Sequence, residues 1–193
     1  MAKVIYTYNN QILKSTDNEW YTEPDPPSDE VTIGTQTWKN KNLAINDGQG
    51  GIYTQTVNYG QGDVVEYYYT WDAAVRVASS IPGWHLPTTS EWDALATAVG
   101  GRYVAGTKLK STYGWESDGN GTDDYGFSAF PAGNRLRNSF YYLGTQTSFW
   151  SANEYQPSSS TAYSYDYINT SNAQSSGLSS KRYSLSVRLV KDI

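Results

Sequence analysis

Residues 83–92 read Gly83-Trp84-His85-Leu86-Pro87-Thr88-Thr89-Ser90-Glu91-Trp92 and carry the clearest local instruction in the chain. Thr88 followed by Glu91 has the form of a capping box. The cap hydroxyl accepts from the amide of the third helical residue, whose carboxylate reaches back to the cap amide. Trp92, Leu95, Ala96 and Val99 then recur at helical spacing as one apolar stripe, and Gly100-Gly101 ends the helix. Upstream, Thr70 stands as an N-cap before Trp71, Ala74, Val75 and Ala78, a second apolar stripe that closes at Ser79-Ser80-Ile81-Pro82-Gly83. Two helices joined by a short extended stretch are expected here.

Outward from this pair the periodicity changes. After Gly106 no helical pattern persists, and Gly, Asn, Asp and Ser clusters separate short aromatic strands at 127–130, 149–151, 162–167 and 184–190. The last alternates, with Leu185, Val187 and Leu189 on one face. Toward the N-terminus, Val31-Thr32-Ile33, the turn Gly34-Thr35 and Gln36-Thr37-Trp38 read as strand, turn and strand, and 47–51 as a loop. Strand, two helices, then many short strands with long loops is an α+β plan. Residues 22–30 hold Pro24, Pro26 and Pro27 among acidic and small residues, a semi-rigid linker. Residues 1–21 read as a small β docking unit, with a hairpin turn at Asn9-Asn10 and a second turn at 16–18. Its size requires packing on the main domain, a partner chain or a larger assembly. The main domain is expected over 31–193.

Composition narrows the function. Eighteen Tyr stand against four Phe, and the net charge is −5. Tyr and Trp suit faces that are alternately wet and covered. Phosphate recognition needs a basic stripe, and the basic residues here are scattered, so no nucleic-acid partner is expected. No apolar run approaches the length of a membrane span, so no membrane insertion is expected either. With no cysteine, thiolate nucleophiles and Cys-based zinc sites are excluded. The first residues lack the apolar core of a signal peptide, which points to a trimmed leader or a route other than secretion.

Several motifs share a family likeness. Ile33-Gly34-Thr35-Gln36-Thr37-Trp38 with Asn42-Leu43, then Gly83-Trp84-His85-Leu86-Pro87 with Glu91-Trp92, resemble the Fibrobacter succinogenes major paralogous domain family. So do Ala105-Gly106-Thr107-Lys108-Leu109-Lys110-Ser111, the run 121–129, Gly133-Asn134-Arg135, Phe149-Trp150-Ser151 and Ser186-Val187-Arg188. The resemblance spans about 31–192. It implies kinship with the C-type-lectin-like superfamily, including formylglycine-generating-enzyme-like and retroelement-diversified variable proteins. The implied fold has two helices beside a twisted antiparallel sheet, with long loops on one side. It implies no activity, since the catalytic relatives use active-site cysteines. Family members often carry a cysteine near the final strand, where this chain has Leu189; its loss fits maturation outside an oxidising setting.

The remaining candidates follow from residue chemistry. His85, the lone histidine, reads as structural, because no nucleophile and base can be built around it. Asp118, Asn120, Asp123 and Asp124 place oxygen ligands between glycines, as a calcium loop does, or else simply make consecutive turns. The Glu-Pro-Asn and Trp-Asn-Asp signatures of calcium-dependent sugar binding are missing. A glycosidase would need a positioned carboxylate pair, and capping accounts better for Glu91 and Asp93, so no catalysis is expected.

The stretch 138–183 is crowded with Tyr, Ser, Asn and Thr, an alphabet that antibody loops use for rigid contact area and adaptable hydrogen bonds. The expected ligand contacts are Tyr141, Tyr142, Tyr155, Tyr163, Tyr165 and Tyr167, with Trp150 as floor. The competing reading is ordinary polar loops. Together these features suggest a non-catalytic recognition module displayed on a virion, as a phage tail or capsid-associated adhesin. It would be homo-oligomeric, dock on other subunits through the N-terminal β unit and bind a host-surface glycan or protein. The alternatives are a decoration protein whose Tyr-rich faces lie between subunits, and a bacterial cell-surface or secreted setting.

Overall fold

The computed structural model describes residues 29–156 and 158–192 in full, and the backbone alone of 6–8, 11–16 and 19–22. Strands β1 (Tyr6–Tyr8), β2 (Gln11–Thr16) and β3 (Glu19–Thr22) form an antiparallel meander, with Tyr6 opposite Leu13 and Lys14 opposite Tyr21. The turn expected at Asn9-Asn10, most of the one at 16–18 and most of the Pro-rich linker lie outside the described residues.

The main unit opens with β4 (Glu30–Ile33) and β5 (Gln36–Lys39), paired through the expected Gly34-Thr35 turn. A hairpin follows, β6 (Ile52–Asn58) and β7 (Asp63–Tyr69), held by seven facing pairs. Next come α1 (Trp71–Ala78), β8 (Trp84–His85), α2 (Thr89–Ala98) and α3 (Arg102–Leu109). The C-terminal part contains β9 (Asn134–Leu136), β10 (Ser139–Tyr141), β11 (Gln146–Glu154), β12 (Thr161–Ile168), β13 (Ser175–Ser180), β14 (Tyr183–Ser184) and β15 (Val190–Lys191).

From Glu30 onward the described strands form four separate small sheets: β4-β5-β15-β8, β6-β7, β10-β9-β14 and β11-β12-β13. With them stand three helices, not two. The α+β class holds, but the C-type-lectin-like expectation of two helices beside one twisted antiparallel sheet does not. β9, β10 and β14 have only two or three residues each and pair among themselves, apart from the longer β11-β12-β13 sheet. The expected strand at 127–130 is reduced to an isolated bridge between Lys110 and Ala129. The strand expected at 184–190 is split between β14 and β15, with buried residues throughout.

Both faces of the β11-β12 pair are covered, which explains this arrangement. One face sends Phe149, Tyr165 and Tyr167 into a core with Trp92, Leu95 and Val99 of the α2 segment, Leu109 of α3, and Trp38. The other sends Trp150 and Ala162 into a core with Ala74 and Val77 of α1, Leu185, Val187 and Leu189. A strand buried on both faces cannot show a clean polar and apolar alternation.

The capping box forms as read. Thr88 Oγ1 accepts from the Glu91 amide at 3.3 Å, and Glu91 Oε2 accepts from the Thr88 amide at 2.7 Å. In α1 the cap is Thr70, but the fully buried residues are Ala73, Ala74, Val77 and Ala78, with Trp71 and Val75 half-covered. The stripe is therefore rotated from the expected one, because the small alanines let the helix lie close to the sheet. Among the described residues no helix is long and apolar enough to cross a membrane.

Candidate functional site

The tyrosines expected to contact a ligand divide by strand geometry. Tyr163, Tyr165 and Tyr167 alternate along β12 and so share one face. Tyr165 stacks on Trp92 of α2 with ring centroids 5.2 Å apart, and its hydroxyl donates to the Thr89 carbonyl at 3.1 Å. Burial, then the neighbouring Asp93 carboxylate, pushes the Tyr165 phenol well above its ordinary value. Tyr167 lies wholly inside, donating to Gln174 Oε1 at 2.7 Å, and its phenol is likewise raised by burial. Trp150 faces the other core and donates to the Tyr69 carbonyl at 2.7 Å. Trp150 and Tyr167 thus hold the fold together and present no surface to a ligand, and Tyr165 is almost wholly buried as well.

Tyr163 is the one of the three that passes the edge of α2. Its ring meets Tyr155 edge to face, with centroids 6.0 Å apart. Both line a polar groove of about 680 Å³ that Tyr165 also borders. The opposite wall brings Asp93 of α2 and Arg102 of α3, and Asn153, Gln156 and Ser176 complete the rim. Asn153 is fixed by accepting from the Thr89 amide at 2.8 Å. Nearby, the Lys181 ammonium pairs with Glu154 and lies 3.9 Å from the Trp71 ring centroid. The groove therefore offers three tyrosines, the carboxylates of Asp93 and Glu154, one guanidinium and several amide and hydroxyl groups. Such a combination is chemically able to hold a polar ligand by stacking and hydrogen bonds. Sequence reasoning missed Asp93 and Arg102 as groove residues. Thr89 and Asp93 at i and i+4 already mark a polar flank of α2, whereas Arg102 sits on a helix that was not foreseen.

Tyr141 and Tyr142 belong to the β10-β9-β14 sheet and its following turn, not to this groove. They are exposed, their ring centroids are 6.3 Å apart, and Tyr142 adopts a left-handed φ of 61°. The structure thus unites Tyr155, Tyr163 and Tyr165 and leaves the remaining expected contacts elsewhere.

The candidate calcium loop is occupied with its own backbone. Asn120 accepts from the Trp115 amide at 3.0 Å, and Asp123 accepts from the Ser128 amide at 2.8 Å and from its hydroxyl at 2.6 Å. A Cβ on Gly119 would fall 2.4 Å from Asn169, and one on Gly121 would fall 2.3 Å from the Lys110 carbonyl. Glycine is required here by close chain approach, which gives the loop's composition a structural cause. Among the described residues no three His, Asp or Glu side chains converge as a metal site would need.

His85 lies between two carboxylates, with Nε2 2.7 Å from Glu91 Oε1 and Nδ1 2.6 Å from Asp192 Oδ1. Burial opposes its charge, but the hydrogen bonds to Asp192 and Glu91 outweigh it and raise the imidazole above its usual range. The ring thereby ties the N-terminus of α2 to the end of β15, the structural role expected of it.

A second concavity, of about 320 Å³, opens beside the β6-β7 hairpin and was not foreseen. Leu43, Val64, Val65, Tyr113 and Phe130 line it. Glu66, only 6% exposed, stands among them, accepting from Asn42 Nδ2 at 3.0 Å and from the Tyr59 hydroxyl at 3.2 Å. Asn42 Oδ1 in turn accepts from Arg188 at 3.0 Å, and Arg188 also donates to the carbonyls of Lys39, Phe127 and Ser128. Burial lowers the Arg188 pKa, while Glu66 holds it up. Both terminal nitrogens of the cation are thus held by the fold, while its buried Nε has no partner among the described residues.

No curated protein and no solved structure matches the chain. The model of the Fibrobacter succinogenes major domain matches residues 31–191, and the chain belongs to that family.

Proposed function

We propose that the family domain of this protein is a non-catalytic recognition module and that its ligand lies in the groove between Tyr155, Tyr163, Asp93 and Arg102. The observation that carries this reading is the Tyr155–Tyr163 pair at a groove edge, where two rigid rings remain available while the tyrosines further along β12 are consumed by the core. The polar rim suits a glycan or a polar protein loop on a host surface. Display on a virion, with the N-terminal meander docking on another subunit, is the setting we propose; a cell surface would serve the same contact.

The test is binding of the labelled protein to a glycan microarray and to intact bacterial cells. Aromatic contacts at the centre of an interface often carry 2 kcal/mol or more. The double variant Tyr155→Ala/Tyr163→Ala should therefore bind at least about tenfold more weakly at an unchanged melting temperature. Equal binding by that variant would sink the proposal.

A second reading, a structural subunit, draws support from Tyr103 and Tyr142, which are 79% and 59% exposed. In that case self-association measured by light scattering would weaken in Tyr103→Ser and Tyr142→Ser.

A further inference from the structure

The cleft beside the β6-β7 hairpin is independent of the groove, and its chemistry selects a different contact. We infer that it is a second binding site, for a neutral ring carrying hydroxyl groups, such as one pyranose unit of a saccharide.

The argument begins with Glu66. A carboxylate offers about four acceptor positions. Here the protein supplies one donor to each oxygen, Asn42 Nδ2 to one and the Tyr59 hydroxyl to the other. Acceptor capacity therefore remains on a group that water scarcely reaches, and a buried acceptor left short of partners is costly. A ligand that donates there recovers that cost.

Charge weighs against two ligand classes at the buried end of the cleft, with the exposed Lys41 also on its lining. Arg188 is linked to Glu66 through the single amide of Asn42, so the buried cation and anion offset each other. An organic cation drawn to Glu66 would be opposed by Arg188. An anion would find both terminal nitrogens of the guanidinium already holding three carbonyls and an amide, only the buried Nε unpaired, and Glu66 beside it. A neutral donor gains from Glu66 without either opposition.

The walls set the shape. Phe130 stacks on Tyr59 at 5.0 Å with 28° between planes, and Tyr113 meets Phe130 edge-on at 5.0 Å. Val64 and Val65 are adjacent on β7, and both are about half exposed. A strand ordinarily turns one of two neighbours inward. Here both remain uncovered at the mouth of the cleft. Apolar walls above an acceptor match a ring with a hydrocarbon face and hydroxyls at its edge. A purely apolar ring would fill the walls and give Glu66 no donor beyond Asn42 and Tyr59. The volume falls at the small end of ordinary ligand sites, roughly 300–1,000 Å³.

The test is an amide chemical-shift titration with the methyl glycosides of glucose, galactose, mannose and N-acetylglucosamine, alongside tetramethylammonium and benzoate as charged probes. At least one glycoside should saturably shift the amides of Val64, Val65, Glu66 and Tyr113. Its affinity should fall roughly tenfold in Tyr113→Ala, which removes one aromatic contact. Tyr155→Ala should leave it unchanged, so failure here and failure of the groove proposal are separable. Val65→Glu, a change at a 52% exposed position, blocks the mouth and serves if Tyr113→Ala melts early. The inference is overturned if no glycoside shifts those amides, if a charged probe occupies the cleft in preference, or if the folded variant binds as the parent does.

Discussion

Tyr163 and Tyr167 stand on the same face of the same strand and do opposite things. Tyr167 lies in the aromatic core, its hydroxyl spent on Gln174, whose own amide donates to the Trp92 carbonyl at 3.3 Å. Tyr163 is only partly buried and pairs with Tyr155 at the groove. Composition treats these residues as equals. What separates them is where the covering helix stops, so a tyrosine-rich segment is part core and part contact surface.

The comparison can be broken by substitution. The largest effect is expected from Tyr167→Ala, which should cost about 3–5 kcal/mol, the usual loss for a large buried aromatic. Urea unfolding measures it. Tyr167→Phe isolates the hydroxyl. It keeps the ring but removes the donor to Gln174, and should cost about 1–3 kcal/mol as a buried acceptor loses its partner. Away from the tyrosines, Thr88→Ala removes the cap on the helix that covers Tyr165 and Tyr167, for about 1 kcal/mol. The melting temperature would register it.

A pH series sharpens the same picture at that capped end of the helix. The His85 imidazole is raised in the folded state above its ordinary 6.5, so it stabilises the fold fully below that pH. This contribution should fade as pH rises through the higher folded value. His85→Gln should flatten the slope of stability against pH across that window, and an unchanged slope would remove the imidazole from the account. The smallest effects belong to Tyr155→Ala and Tyr163→Ala, each expected within about 0.5 kcal/mol of the parent, as is usual for surface sites. If Tyr163→Ala destabilises the fold as Tyr167→Ala does, the division between core and contact fails.

What could be read from the sequence was what is local. The capping box at Thr88 and Glu91, the stop at Gly100-Gly101 and the β4-β5 turn each depend on a few adjacent residues. Helix α3 was hidden because Gly101 provides no capping side chain and Gly106 interrupts its pattern. That glycine is needed for packing, since a Cβ there would fall 2.8 Å from the backbone of Asn172 and Ala173. The two-helix, lectin-like expectation failed at this point, on a contact between distant residues. The groove was half legible. Period-two spacing put three tyrosines on one face, but nothing local shows which of them α2 covers. The cleft had one faint signal, a lone carboxylate in the apolar run Val64-Val65-Glu66-Tyr67-Tyr68-Tyr69.

Strand β15 has a consequence for the order of assembly. Val190 pairs with Trp38 on one side and with His85 on the other, so a strand late in the family domain joins two that are made much earlier. During synthesis, β5 and β8 must wait with their inner edges open until Val190 emerges. Contacts this distant in sequence slow folding, and an unpaired edge invites the wrong partner meanwhile. The keystone of this domain is set last, and its newborn chain is most exposed just before it arrives.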